Sequence, residues 1–135
     1  MTVNIAVVGL GAFGQKHLDA LANIPDATIK YVAHSRQNVA DEIAEKYGAD
    51  KGFDSYTELL AQPDLDGVIL ATPTQMHHDQ TIEALRAGKH VMVEIPMADN
   101  LRGVQDIVDV QKETGLIAMR SEERRVGKEC LRLCR

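Results

Sequence analysis

Val3-Asn4-Ile5-Ala6-Val7-Val8-Gly9-Leu10-Gly11-Ala12-Phe13-Gly14 is the most informative stretch of the chain. It opens with an apolar run, broken only by Asn4, that reads as a buried strand. The run ends in G-x-G-x-x-G, and residues 12–22 then carry Phe13, Leu18, Leu21 and Ala22 near one face of a predicted helix. Alone, the glycine pattern is weak; between a strand and a helix it predicts a diphosphate cradle. Gly9 permits the tight turn, Gly11 lets backbone approach a diphosphate, and Gly14 allows close packing of helix on strand. The helix N-terminus then offers free N–H groups and the positive end of its dipole to an anion. Leu10, Ala12 and Phe13 complete the expected cofactor loop.

Outward from this unit, short apolar strands alternate with amphipathic helices. Strands are predicted over 28–33, 67–71, 90–93 and from 116. Helices are predicted over 37–47, from a capping box at Ser55-Tyr56-Thr57-Glu58, over 75–87, and from an Asn100 cap to about Thr114. Uniformly apolar strands joined by helices imply a parallel sheet covered on both faces and connected by right-handed crossovers. The expected fold class is α/β, a Rossmann-type doubly wound sheet.

Composition agrees. The chain has 135 residues, 44% of them hydrophobic and 26% charged, enough for one domain with its own core. No apolar run approaches the ~20 residues of a membrane span, and no signal peptide is visible at Met1-Thr2-Val3-Asn4. A cytoplasmic protein without membrane contact is expected. The net charge of −5 argues against a nucleic-acid partner, and no His, Cys or carboxylate cluster suggests a metal.

The end of the second predicted strand bears on which dinucleotide binds. An Asp or Glu about 20 residues beyond the glycine loop usually meets a ribose 2′-hydroxyl. Here the sequence is His34-Ser35-Arg36. Ser35 can donate to a 2′-phosphate, and Arg36 can pair with it or stack on adenine. NADP is therefore expected over NAD. The same residues are also compatible with a plain helix N-cap at Ser35 and a solvated Arg36.

A second signature is more specific. Ala71-Thr72-Pro73-Thr74-Gln75-Met76-His77, then Ala84-Leu85-Arg86-Ala87-Gly88-Lys89-His90-Val91, then Glu94-Ile95-Pro96, resemble the Gfo/Idh/MocA oxidoreductases. That family shows T-P-N-x-x-H, A-L-x-x-G-K-H-V and E-K-P at matching spacing, and the resemblance covers residues 3–119. It implies a nicotinamide-dependent dehydrogenase acting on a small molecule, with Thr72, Pro73 and His77 at the cofactor. His77 would hold this loop or reach the cofactor; His78 and His90 are assigned to structure. The family proline matching Pro96 often follows a cis peptide, a turn that would aim Glu94 at the nicotinamide. Two departures stand out. Thr74 replaces Asn, and Ile95 replaces the Lys that usually contacts substrate or nicotinamide ribose. Glu94 is left as the catalytic candidate, since isoleucine can neither move a proton nor donate a hydrogen bond.

Glu94-Ile95-Pro96-Met97-Ala98-Asp99-Asn100-Leu101 and residues 111–119 narrow the resemblance to the NADP-dependent 4-carboxy-2-hydroxymuconate semialdehyde dehydrogenases of aromatic catabolism. Those enzymes oxidise a cyclic hemiacetal to 2-pyrone-4,6-dicarboxylate. A sugar or cyclitol dehydrogenase and a non-catalytic NADP sensor remain open. The resemblance also implies a following α/β substrate domain that makes homo-oligomer contacts. On that reading the chain is truncated before that domain, binding NADP weakly at best and turning over nothing alone.

Residues 120–135 differ in character. They hold both cysteines and a run of Arg and Lys, so the body of the chain is cysteine-free and more acidic than the whole. Arg120–Cys130 resembles, codon for codon, the translation of a common short-read sequencing adapter. The expected organisation is a dinucleotide domain over 1–119 and a non-native tail over 120–135.

Overall fold

The computed structural model describes residues 2–121; the remainder of the basic tail, with both cysteines, lies outside them. The described chain alternates strand and helix throughout. β1 (Val3–Val8) leads into α1 (Ala12–Leu21), β2 (Ala27–Ala33) into α2 (Gln37–Tyr47), and β3 (Lys51–Phe53) into the short α3 (Tyr56–Leu60). β4 (Gly67–Leu70), α4 (Thr74–Arg86), β5 (His90–Val93), α5 (Leu101–Thr114) and β6 (Ala118–Arg120) complete it. All pairings are parallel, in the order β3-β2-β1-β4-β5-β6. The expected doubly wound sheet is thus present, and its order reverses between β1 and β4, where such sheets bind ligands at the strands' carboxyl ends.

Alternation within the strands builds two cores. Val8, Val68, Leu70, Val91 and Val93 face α3, α4 and α5, where they meet Leu59, Leu85 and Ile107. Val7, Val32 and Ile69 face the other way, onto Leu18 and Leu21 of α1 and Ile43 of α2. Leu18, Leu59, Leu70, Leu85 and Ile107 are essentially sealed from solvent, each burial contributing about 1.5–3 kcal/mol relative to exposure.

Ser55 and Asn100 cap as their sequence contexts predict: Ser55 Oγ accepts from the Glu58 N–H, and Asn100 Oδ1 from the Gly103 N–H. β3 is the one element that the sequence pattern does not announce. Elsewhere the differences are at element ends: α4 begins at Thr74, one residue early, and β6 begins at Ala118, two residues late. Arg120 pairs with Val93, and the Ser121 N–H donates to the Val93 carbonyl, so strand pairing crosses the position after Met119 where the tail was expected to begin.

Two family-motif residues turn out to hold the frame. Lys89 is buried, and its ammonium donates to the Gln62 and Leu65 carbonyls at 2.8 and 2.9 Å, closing the turn before β4. His90 Nδ1 accepts from the Ile117 N–H and so fixes the approach to β6. His78 lies between Asp79, at 2.8 Å, and Asp106 of α5, at 3.5 Å. Both histidines serve structure.

Candidate functional site

The glycine loop crosses the carboxyl end of β1. Gly9 has φ +89°, and a Cβ there would stand 2.5 Å from the Ala71 carbonyl oxygen. Only glycine takes that conformation at no cost while lying against neighbouring backbone. Gly14 is tighter still: a Cβ would come within 1.9 Å of the Gly9 carbonyl oxygen. Its close packing is therefore against the loop's own first glycine rather than against a side chain of the sheet. Gly11 differs from both, for a Cβ there meets nothing within 4 Å. It faces the open space that a ligand backbone would fill. No side chain caps α1, and its first turn carries no acidic residue. Its leading N–H groups thus remain available to an anion. The loop fits a dinucleotide's diphosphate.

A cleft of about 550 Å³ extends from this loop over β2 and β3. Gly9, Leu10, Gly11, Ser35, Thr72 and Pro73 of the expected cofactor set line it. Ser35 does not cap α2, whose N-cap is Arg36 without a side-chain bond, so its hydroxyl is not committed to a helix. Arg36 is exposed beside Ser35 but outside the cleft wall. Asp54 and Tyr56 also line this cleft, and the sequence reading missed both. Asp54 places at the cleft a carboxylate that the end of β2 lacks. The Tyr56 hydroxyl donates to the Gln80 carbonyl, while the Gln80 side chain accepts from Thr72 Oγ1 at 2.6 Å. Burial, with the nearby Glu83 carboxylate, pushes the Tyr56 phenol up, so it stays a neutral donor.

A second cavity of about 270 Å³ adjoins over β4 and β5, sharing Ala71, Thr72 and Pro73 with the first. Phe13, Thr74, His77, Glu94 and Ile95 complete its wall. Of the expected site residues, only Ala12, Gly14 and Arg36 line neither cavity. His77 is 1% exposed, with Nδ1 2.7 Å from the Pro96 carbonyl oxygen and Nε2 2.7 Å from that of Thr72. Either ring nitrogen can donate to the carbonyl it faces. Of its two expected roles, holding the loop is the one these bonds perform: the histidine joins the end of β4 to the turn after β5. The Ile95–Pro96 peptide in that turn is cis, as the resemblance implied.

Glu94 follows β5 and accepts from His17 Nε2 of α1 at 2.5 Å, both side chains about one-fifth exposed. His17, which the sequence reading missed, lines neither cavity and stands behind the carboxylate. Burial opposes ionisation of Glu94, but hydrogen bonds from His17 and Ser121, with the nearby His17 and His77 imidazoles, outweigh it and hold the carboxyl below its usual value. A depressed carboxylate stabilises the fold fully above its unfolded value, near 4.3, and that contribution is lost as pH falls through the folded value. Glu94→Gln should therefore melt below wild type at pH 7, with the gap closing below about pH 4. Thermal melts from pH 7 to 3 check this; a gap that stays constant would count against it.

Glycine loop, paired cavities and the Thr72–His77–Pro96 bracket occupy the reversal point of a parallel sheet. The family model describing an oxidoreductase family with an NAD-binding Rossmann fold, Gfo/Idh/MocA, matches residues 3–121. The chain belongs to the Gfo/Idh/MocA oxidoreductase family. It is 46% identical over 123 residues to 4-carboxy-2-hydroxymuconate-6-semialdehyde dehydrogenase of Sphingobium sp. (strain NBRC 103272 / SYK-6), covering 91% of this chain and 39% of that enzyme. It is 30% identical over 131 residues to myo-inositol 2-dehydrogenase of Thermotoga maritima, covering 97% of this chain and 39% of that one. Among solved structures, a 3-ketoreductase from Actinomadura kijaniata, in complex with NADP and TDP-benzene, superposes with a TM-score of 0.86 at 28% identity, over 90% of this chain and 37% of that one. The chain thus spans less than two-fifths of these Gfo/Idh/MocA relatives. Among its described residues no helix is long and apolar enough to cross a membrane.

Proposed function

We propose that this chain is the cofactor-binding part of an NADP-dependent dehydrogenase that oxidises a CH–OH group, and that its substrate is the cyclic hemiacetal of 4-carboxy-2-hydroxymuconate semialdehyde, leaving as 2-pyrone-4,6-dicarboxylate. The observation that carries the cofactor assignment is the uncapped glycine cradle at Gly9–Gly14, open at Gly11, with Ser35 uncommitted at the cleft. Gly11 and the first turn of α1 bind the diphosphate. Ser35, in the cleft wall, and Arg36, exposed beside it, meet the 2′-phosphate. Thr72, Pro73 and Phe13 shape the nicotinamide side, and His77 holds its wall. Glu94 organises that end.

When bound, the nicotinamide supplies the hydride acceptor; the protein supplies position and electrostatics. A hemiacetal hydroxyl is more acidic than an ordinary secondary alcohol, and its ring oxygen stabilises positive charge at the reacting carbon. Such a substrate tolerates isoleucine at position 95, where the family lysine stands. The identity to the Sphingobium dehydrogenase supports this substrate. The inositol dehydrogenases among the relatives support a cyclitol as the second reading. In the whole enzyme, a following α/β domain supplies cations for the substrate carboxylates and the contacts of a cytoplasmic homo-oligomer. The dinucleotide domain ends near residue 121, where Arg120 and Ser121 still pair with Val93, and the adapter-like residues beyond have no role.

Titration of the chain with NADPH and NADH tests the cofactor assignment, tighter NADPH binding being the expected result and tighter NADH binding the refuting one. Substrate profiling of the enzyme with its downstream domain restored tests the chemistry. Turnover of the hemiacetal, and not of inositols, is expected; the reverse selects the cyclitol reading.

A further inference from the structure

The cavity over β4 and β5 has a carboxylate in its wall and an imidazole behind that carboxylate. Glu94 follows β5, His17 sits on α1, and 77 residues separate them; yet His17 Nε2 lies 2.5 Å from Glu94 Oε1. His17 stands three residues after Gly14 and four after Phe13, which places all three on one face of α1. Phe13 lines the same cavity. The face that begins as the glycine cradle therefore ends as the support of Glu94.

Two of the other polar side chains of this wall are already engaged, and Thr74 offers a neutral hydroxyl. Thr72 Oγ1 donates to Gln80, and both His77 nitrogens meet backbone carbonyls. Ile95, half-exposed at the mouth, offers no polar atom. Among the described residues of the wall, Glu94 is the one carboxylate. Unsupported, a glutamate at this exposure would sample several rotamers; the 2.5 Å bond to His17, with a further hydrogen bond from Ser121, narrows that choice.

We propose that His17 is a positioning residue, pinning the Glu94 carboxylate at the nicotinamide site, where the fixed negative charge favours the cationic oxidised ring over the neutral reduced ring. The inference rests on the dinucleotide reading above. Its consequence is a ratio: the chain holds NADP⁺ better relative to NADPH than it would with a neutral residue at position 94. A unit charge about 4 Å from the ring in a half-solvated cleft would change that ratio roughly fivefold.

The experiment measures dissociation constants of NADP⁺ and NADPH by ligand-observed NMR for the chain and for Glu94→Gln, each with position 17 as His, Leu or Gln. With His17 present, Glu94→Gln is expected to lower the NADP⁺ preference roughly fivefold. With His17→Leu the same change should have less than about a twofold effect, the scale of independent sites. His17→Gln should restore it, because the amide donates to the same carboxylate. Should the leucine variant not fold, His17→Asn, whose shorter amide falls short of Glu94, takes its place. An equal effect of Glu94→Gln with and without His17 would overturn the proposal. Retention of neither dinucleotide by the unsubstituted chain would instead bring down the cofactor reading, and the two failures are separately visible.

Discussion

Gly14→Ala is expected to cost roughly 3 kcal/mol or more of stability and to abolish measurable dinucleotide binding. The new Cβ would lie 1.9 Å from the Gly9 carbonyl oxygen, and neither atom can yield by a rotamer change. Gly9 is held by its N–H bond to the Ala33 carbonyl at 2.9 Å. The N-terminal turn of α1 is tied to the loop by the Gln15 side chain, whose amide donates to the Leu10 carbonyl. The helix must therefore back away from the sheet, taking its first-turn N–H groups with it. Gly11→Ala is the matched control. Its Cβ meets nothing within 4 Å, so it should fold normally and lose affinity only because the methyl occupies the ligand's space. Urea unfolding and NADPH titration of both variants distinguish the cases; a Gly14→Ala chain as stable as wild type would refute the geometry.

Ser35→Asp carries the second large effect. Ser35 lines the cleft without capping α2, so an aspartate there would face the bound ribose. A carboxylate repels a 2′-phosphate and accepts hydrogen bonds from a ribose hydroxyl. NADPH binding should weaken and NADH binding strengthen, moving the ratio of their affinities by roughly 100-fold. Parallel titrations measure this directly. An unchanged ratio would show that the end of β2 does not meet that part of the ligand.

The glycine loop, the helix caps and most elements were legible because each is a local event. A turn that needs φ +89° at Gly9 needs glycine whatever surrounds it. Asn100 satisfies an N–H only three residues away. β3 escaped because Lys51-Gly52-Phe53 is short and its central glycine reads as punctuation. That glycine is there because α2 packs directly on the strand, where a Cβ would stand 2.4 Å from the Ala40 carbonyl carbon. Helix-on-strand contact of this kind leaves no local pattern.

The same division runs through the site. Periodicity and the glycine spacing, by themselves, determined a parallel α/β sheet and a diphosphate cradle at its first turn, because apolar alternation and backbone sterics act over a few residues. Only the tertiary structure decided what surrounds that cradle. It brought Asp54 and Tyr56 to the cleft from the turn after β3 and the start of α3, gave His77 two carbonyls to hold instead of a free nitrogen, and set His17 against Glu94. Those encounters depend on which strands lie side by side and how closely the helices cover them, and a side chain's type does not state the partner it will meet across the sheet.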